Sequence, residues 1–155
     1  MKTNSVTPIK KQIVVEAARD RAFRVFTQNI DSWWPRQHHI GKSALQAAVM
    51  EPKVNGRWYE KGEDGSECEW GKVIAWEPPH RIVLAWQISA AWQFDPNLVT
   101  LVEVRFTEQG PKRTLVELEH RDLERFAESA EQLRGMLDSG WGTILALYAE
   151  GAQRS

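Results

Sequence analysis

The sequence has 155 residues, 42% hydrophobic and 26% charged, which predicts one globular domain over 1–155. Twenty Lys and Arg face 21 Asp and Glu, giving a net charge of -1, so no basic field favours a nucleic-acid partner. No apolar run reaches the roughly 20 residues that cross a bilayer, and the N-terminal residues lack a signal-peptide core. We therefore expect a cytoplasmic monomer or homodimer with no membrane partner. The single cysteine, Cys68, fits a reducing compartment.

The chain begins with a strand pattern followed by a helix pattern. Residues 9–15 are rich in β-branched side chains and predict a first strand. Residues 16–26 carry apolar side chains at helical spacing and predict a helix. In the segment 31–35, Asp-Ser-Trp-Trp-Pro, an Asp or Ser can cap a short second helix through the two tryptophans, which the proline should end.

The centre of the chain has the pattern of an antiparallel meander. Residues 36–46 show no period and are assigned to a loop, and short β-prone segments separated by turn residues continue to His120. The clearest segments are 56–61, 67–76, 81–88, 98–107 and 113–120. Residues 129–150 carry one broad apolar stripe and predict a long helix. A sheet with one apolar face must cover such a stripe, so we predict an α+β fold with the sheet curled around the last helix.

Strand alternation predicts which side chains face that helix. Val104 and Phe106 lie on the apolar face of one strand, and His120 ends the apolar face of the next. A two-residue turn at Asp64-Gly65, closed by Glu63 and Ser66, would pair Trp58 with Gly71 and Glu60 with Glu69. The same register places Trp86 on the inner face, whereas a slip by one residue would bring in Trp70 and Trp76 instead.

Eight tryptophans are an unusual number for a chain of this length. The indole ring is large, and its N–H requires a partner when it is buried. A surplus of tryptophan therefore points to a lined cavity or to a buried interface. An aromatic core without a ligand is the alternative, and the composition leaves both open.

Five ordered motifs resemble those of a known superfamily. They are Gly56-Arg-Trp-Tyr-Glu60, Trp70-Gly-Lys-Val73, Glu77-Pro-Pro-His-Arg-Ile-Val-Leu-Ala-Trp86, Thr114-Leu-Val-Glu-Leu-Glu-His120 and Gly140-Trp141. Over nearly its whole length the chain is similar to SRPBCC (START-like) proteins, in the group resembling the C-terminal domain of heat-shock-protein ATPase activators. The resemblance implies the helix-grip fold, with seven antiparallel strands around a long helix, two short helices and a cavity. Superfamily members bind apolar ligands, cyclise polyketides or assist chaperones, so the fold leaves function open.

The leading hypothesis is a protein that binds a small apolar or aromatic molecule in that cavity. The expected lining consists of Trp34, Trp58, Trp86, Val104, Phe106, His120 and Trp141. Glu60, His120 and His38 are expected to orient the ligand, and Trp33 is expected beside Trp34 at the cavity entrance.

Two other functions are compatible with the sequence. An enzyme of the cyclase or hydrolase type would use Glu60, Glu69 and His120 as acid and base, since two facing carboxylates repel and one would hold its proton. The alternative is that the two carboxylates lie in water at the open end of the hairpin, or that Arg57, Lys61 or Arg81 neutralises them. A chaperone-interaction module would use outward aromatic side chains such as Trp70 or Trp76 as a contact patch.

The adjacent histidines His38 and His39 invite a metal hypothesis. Neighbouring side chains on an extended chain point in opposite directions, and no carboxylate or cysteine cluster lies near them in sequence. We therefore expect loop residues beside the cavity entrance, with no metal and no cofactor.

Overall fold

The computed structural model describes residues 6–154, which form a curled seven-stranded antiparallel sheet around a long helix. The strands are β1 (Ile9–Val15), β2 (Leu45–Met50), β3 (Arg57–Gly62), β4 (Glu67–Glu77), β5 (Arg81–Trp86), β6 (Thr100–Gly110) and β7 (Arg113–Arg121). Their order in the sheet is β1-β7-β6-β5-β4-β3-β2. The helices are α1 (Arg19–Phe26) and α2 (Ala130–Gln153), with 3₁₀ segments at Ile30–Ser32 and Leu123–Ser129. The predicted α+β helix-grip fold is confirmed.

Two elements differ from the sequence prediction. The strand β2 begins at Leu45, inside the segment 36–46 for which the sequence predicts a loop. The short helix before Pro35 is a 3₁₀ segment that ends at Ser32, so Trp33 and Trp34 follow it instead of forming it. Both indoles point inward, and each is more than nine-tenths buried.

The core lies between the concave face of the sheet and α2. On β6, Val102 and Val104 are fully buried and Phe106 is 2% exposed, as alternation predicts. On β7, Val116 and His120 are fully buried on the same face. The apolar stripe of α2 covers these side chains, and burial of this surface is the main force that holds helix and sheet together.

The hairpin between β3 and β4 closes differently from the prediction. Gly62 donates its N–H to the carbonyl of Ser66 at 2.8 Å, so the loop has three residues, 63–65, instead of two. Gly65 adopts a φ of 88°, which glycine tolerates better than any other residue and which three-residue hairpin loops commonly require. The pairing of the two strands is therefore offset by one residue near the turn.

A β-bulge corrects this offset further along the hairpin. Glu60 pairs with Cys68, whereas Trp58 pairs with Gly71 as predicted. Trp70 is the extra residue on β4, and its side chain is buried on the inner face with only 2% exposed. The bulge thus places both Trp58 and Trp70 inside the sheet.

The predicted pair of facing carboxylates is wrong for this reason. Glu69 lies on the outer face of the sheet, where the Arg57 Nε lies 3.2 Å from both of its carboxylate oxygens. Glu60 is on the inner face and 1% exposed. The outward position expected for Trp70 is also wrong, and Trp76 is half-buried with its ring centroid 5.1 Å from that of Phe23.

Candidate ligand-binding cavity

A largely apolar cavity opens between α2, the centre of the sheet and the segment 37–40. Its volume is about 350 Å³, within the range of small-molecule sites. The sheet side is formed by Trp70, Trp86 and Ile88, and the rest of the lining is Trp34, Gln37, His38, His39, Ile40, Trp92, Met136, Leu137, Gly140, Trp141 and Ile144.

Five tryptophans form a continuous row behind and around this cavity, which we call the tryptophan row: Trp34, Trp70, Trp58, Trp86 and Trp141. Successive ring centroids are 5.0, 5.6, 5.8 and 5.7 Å apart, with tilted or edge-to-face contacts. Such contacts stabilise aromatic pairs beyond the area they bury. Four of these rings, those of Trp34, Trp70, Trp86 and Trp141, line the cavity, and Trp58 supports them from behind.

His120 fixes one end of the tryptophan row. The indole Nε1 of Trp141 donates to His120 Nδ1 at 3.1 Å, and His120 Nε2 lies 2.8 Å from the Thr100 hydroxyl. Because Nδ1 accepts, Nε2 carries the proton and donates to Thr100. Burial lowers the pKa of His120 from 6.5 to about 3, so the ring is neutral at physiological pH. His120 holds a cavity wall in place without lining the cavity.

Glu60 holds Trp70, the second ring of the row, and the chain segment beside the cavity. Its carboxylate accepts the backbone N–H groups of Ile40 at 2.6 Å and Gly41 at 3.0 Å. It also accepts the indole N–H of Trp70 at 2.8 Å. A buried carboxylate is costly unless it is hydrogen-bonded, and these three donors satisfy it. Glu60 therefore couples the segment 39–41 to the cavity wall.

The two consecutive tryptophans have different positions. The Trp34 ring lines the cavity, and its Nε1 donates to the His38 carbonyl at 2.8 Å. The Trp33 ring lies in the core, where its Nε1 donates to the Val25 carbonyl at 2.7 Å and its ring meets Tyr148. Trp33 thus joins the two helices, whereas Trp34 faces the space available to a ligand.

The rim of the cavity exposes apolar side chains to solvent. Trp92 is 40% exposed and Met136 is 49% exposed. Trp92 also adopts a φ of 59°, a left-handed conformation that is rare for a bulky residue. The helix α2 also contributes Gly140 to the lining, and a Cβ built on Gly140 would contact nothing within 4 Å. The rim therefore combines an exposed indole with open space beside the helix.

The structure brings together only some of the residues that the sequence singled out. Trp34, Trp86, Trp141 and His38 line the cavity. The others lie behind it or in the core: Trp33, Trp58, Glu60, Val104, Phe106 and His120. The lining also includes residues that sequence reasoning did not name as site residues, and the apolar stripe of α2 was the available signal for Leu137, Gly140 and Ile144.

Residues 6–154 contain neither a metal-type cluster nor a membrane-spanning helix. Within that range no three His, Cys, Asp or Glu side chains gather as a metal site would require. The helices of the same range also include none with the length and apolarity needed to traverse a lipid bilayer.

Comparisons with known proteins establish the family. Residues 16–149 match the family described as activator of Hsp90 ATPase homolog 1-like protein. The chain belongs to this family. It is also a member of the SRPBCC helix-grip superfamily, as the resemblance implied. None of the curated protein sequences matches significantly.

Solved structures similar to this family member include a named synthase and a named resistance protein. The anthrahydroquino-γ-pyrone synthase Txn09 is 35% identical, with 97% of this chain and 99% of that chain covered and a TM-score of 0.68. CalC, a self-sacrificing resistance protein from Micromonospora echinospora, is 28% identical, with 94% and 93% covered and a TM-score of 0.71. Protein MLL2253 from Mesorhizobium loti is 18% identical, with 96% and 98% covered and a TM-score of 0.70, and shares the fold.

Proposed function

We propose that this protein binds a planar, largely apolar aromatic molecule in the cavity beside the tryptophan row. The observation that carries the proposal is the lining itself, in which Trp34, Trp70, Trp86, Trp92 and Trp141 surround about 350 Å³. Indole faces offer broad, rigid contact to a flat ring and lose little conformational freedom on binding. Affinity would come chiefly from buried apolar area.

The similarity to Txn09 supports an aromatic ligand over an aliphatic one. That protein is named for an anthrahydroquinone fused to a pyrone, and the identity of 35% extends over 97% of this chain. A three-ring aromatic molecule is also compatible with the cavity volume of about 350 Å³. We therefore choose anthraquinone as the test ligand.

Truncation of Trp92 tests the binding proposal. Quenching of tryptophan fluorescence is expected when wild-type protein is titrated with anthraquinone, and Trp92→Ala should weaken binding by about fivefold or more through loss of one aromatic contact. Phe94→Ala is the matched control, because Phe94 is 38% exposed on the same loop but does not line the cavity.

The result that contradicts the proposal is equally definite. If wild-type protein does not respond to anthraquinone, or if Phe94→Ala weakens binding as much as Trp92→Ala, the ligand does not occupy this cavity. A panel of aliphatic chains of similar volume should bind more weakly than anthraquinone, since they cannot stack on the indoles.

A ring-forming enzyme is the second candidate, favoured by the similarity to a named synthase. The catalytic set predicted from sequence does not support it: Glu69 is on the outer face, and Glu60 and His120 are committed to hydrogen bonds. The test is incubation with an anthrahydroquinone that carries a 1,3-diketone beside a hydroxyl group. Ring closure to a pyrone releases one water, and mass spectrometry detects the loss of mass. If the rate of ring closure with the protein equals the rate in buffer alone, the enzyme is excluded and only the binding function remains.

A further inference from the structure

The ring of His39 occupies a distinctive position in the cavity lining. Its Nδ1 lies 2.9 Å from the backbone carbonyl of Gly41, two residues along the chain. A carbonyl oxygen can only accept a hydrogen bond, so Nδ1 must carry the proton and donate it. In the neutral ring, Nε2 therefore has a free lone pair, and it is the ring nitrogen that remains available to a ligand.

The backbone around His39 is held in place by the buried carboxylate of Glu60. The N–H groups of Ile40 and Gly41 both point at this carboxylate, at 2.6 and 3.0 Å. Gly41 packs so closely that an added Cβ would lie 3.0 Å from Glu60 Oε2 and 3.1 Å from the Cys68 sulfur. The carbonyl that orients the His39 ring is thus fixed before any ligand arrives.

The same carboxylate also places negative charge near the ring. Glu60 Oε2 is 4.0 Å from His39 Nδ1, and the Glu60 side chain is 1% exposed. In many active sites a hydrogen-bonded group orients a histidine ring so that its other nitrogen faces the substrate. Here the Gly41 carbonyl accepts from Nδ1 directly, and Glu60 lies behind it.

Few other side chains in the described lining can accept a hydrogen bond from a ligand. The indole N–H groups are donors only, and those of Trp34, Trp70 and Trp141 already have partners. The remaining candidates are the exposed amide of Gln37 and the ring of His38. Burial lowers the pKa of His38, which opposes proton uptake by that ring.

From this geometry we propose that His39 recognises an acidic O–H group of the ligand, so that the cavity selects phenols or enols over unsubstituted aromatic molecules. The inference rests on the proposed aromatic-binding function and adds its specificity. The ligand O–H donates to Nε2 of His39, and the proton can pass to Nε2 to leave a phenolate or enolate beside the imidazolium. No other reactant is required for this step.

Two probes that differ by one hydroxyl group test the inference. Wild-type protein should bind 2-hydroxyanthraquinone about tenfold more tightly than anthraquinone, as one good hydrogen bond allows. The absorption band of the bound hydroxylated probe should also shift towards that of its phenolate. His39→Phe should abolish both the preference, measured as the ratio of the two affinities within the variant, and the shift.

His38→Phe is the matched control, because His38 lines the same cavity and precedes His39 in the chain. This variant should keep the preference for the hydroxylated probe. His39→Ala provides a second test should the phenylalanine ring disturb the loop, and it should also lose the preference.

The possible outcomes separate the inference from the proposed function. Equal binding of the two probes by wild-type protein, or a preference that survives in both His39 variants, overturns the role of His39 and leaves aromatic binding intact. A preference lost only in His38→Phe would overturn it in favour of His38. Failure of both probes to bind wild-type protein would overturn the proposed function and the inference with it.

Discussion

Acid should destabilise this fold through His120. Its ring is fully buried, and burial lowers its pKa from 6.5 to about 3. The unfolded chain binds a proton near the ordinary pKa, whereas the folded chain does not until the pH is far lower. Stability is therefore complete above about pH 6.5 and is lost progressively as the pH falls towards about 3. At pH 5 the expected loss from this residue is about 2 kcal/mol.

Urea unfolding of wild-type protein and of His120→Gln, followed by tryptophan fluorescence at pH 7, 6 and 5, measures this loss. Glutamine does not titrate, so the free energy of unfolding of the variant should fall by about 2 kcal/mol less than that of wild type between pH 7 and 5. The variant should be less stable at pH 7, because Trp141 and Thr100 lose their partner. The quantity to compare is therefore the change of the free energy of unfolding with pH in each protein. Parallel pH profiles for the two proteins would refute the reasoning.

Three further predictions concern stability. Gly71→Ala should cost more than about 3 kcal/mol in thermal unfolding, since its Cβ would lie 1.7 Å from the Ala85 carbonyl oxygen. Trp70→Phe should cost about 1–3 kcal/mol more than Trp58→Phe, because Trp70 donates to Glu60, whereas the Trp58 N–H has no partner within residues 6–154; equal losses would contradict this. Burial raises the pKa of Glu103, but hydrogen bonds from Arg81, Arg105 and Arg121 outweigh this effect and hold the pKa at about 2. Glu103→Gln should therefore cost about 2 kcal/mol at pH 7, after allowance for the exposed arginines, and this cost should fade as the pH drops from about 4.5 towards 2.

Strand periodicity made much of the fold predictable. One face is buried on β6 as far as Phe106 and on β7 throughout, so apolar and polar residues alternate there and the inner face can be listed from sequence. The apolar stripe over 129–150 likewise predicted the long helix α2 that covers the inner face of the sheet. Short segments were harder, and β2 was missed at its start because Leu45 follows a stretch without a period.

The register of the β3–β4 hairpin could not be predicted from its turn residues. Asp64-Gly65 is compatible with loops of two or three residues, and each choice moves every partner by one position. The bulge at Trp70 then restores the predicted pair of Trp58 with Gly71. A sequence pattern carries no signal for two compensating irregularities, which is why Glu69 was placed on the wrong face.

The cavity residues depend on backbone contacts that leave no mark in the sequence. Glu60 binds the peptide N–H groups of Ile40 and Gly41, and any residue except proline would offer such groups. The sequence predicted both histidines beside the cavity entrance, where they lie, but the contact of Glu60 with the backbone next to His39 was not predictable. Tryptophan content left a lined cavity and a ligand-free aromatic core both open, and the expected lining included Trp34 and not Trp33, as the structure has it.

The size of the binding space depends on a side chain that α2 does not have. Gly140 lines the cavity, and a methyl group there would contact nothing within 4 Å. Glycine inside a helix lowers stability by about 1 kcal/mol relative to alanine, so the helix is less stable than it could be at the place where it borders the ligand. A larger cavity and a more stable helix are therefore opposed at this one position. Substitution of Gly140 by successively larger residues would reduce the cavity volume stepwise while the sheet and its tryptophans stay in place.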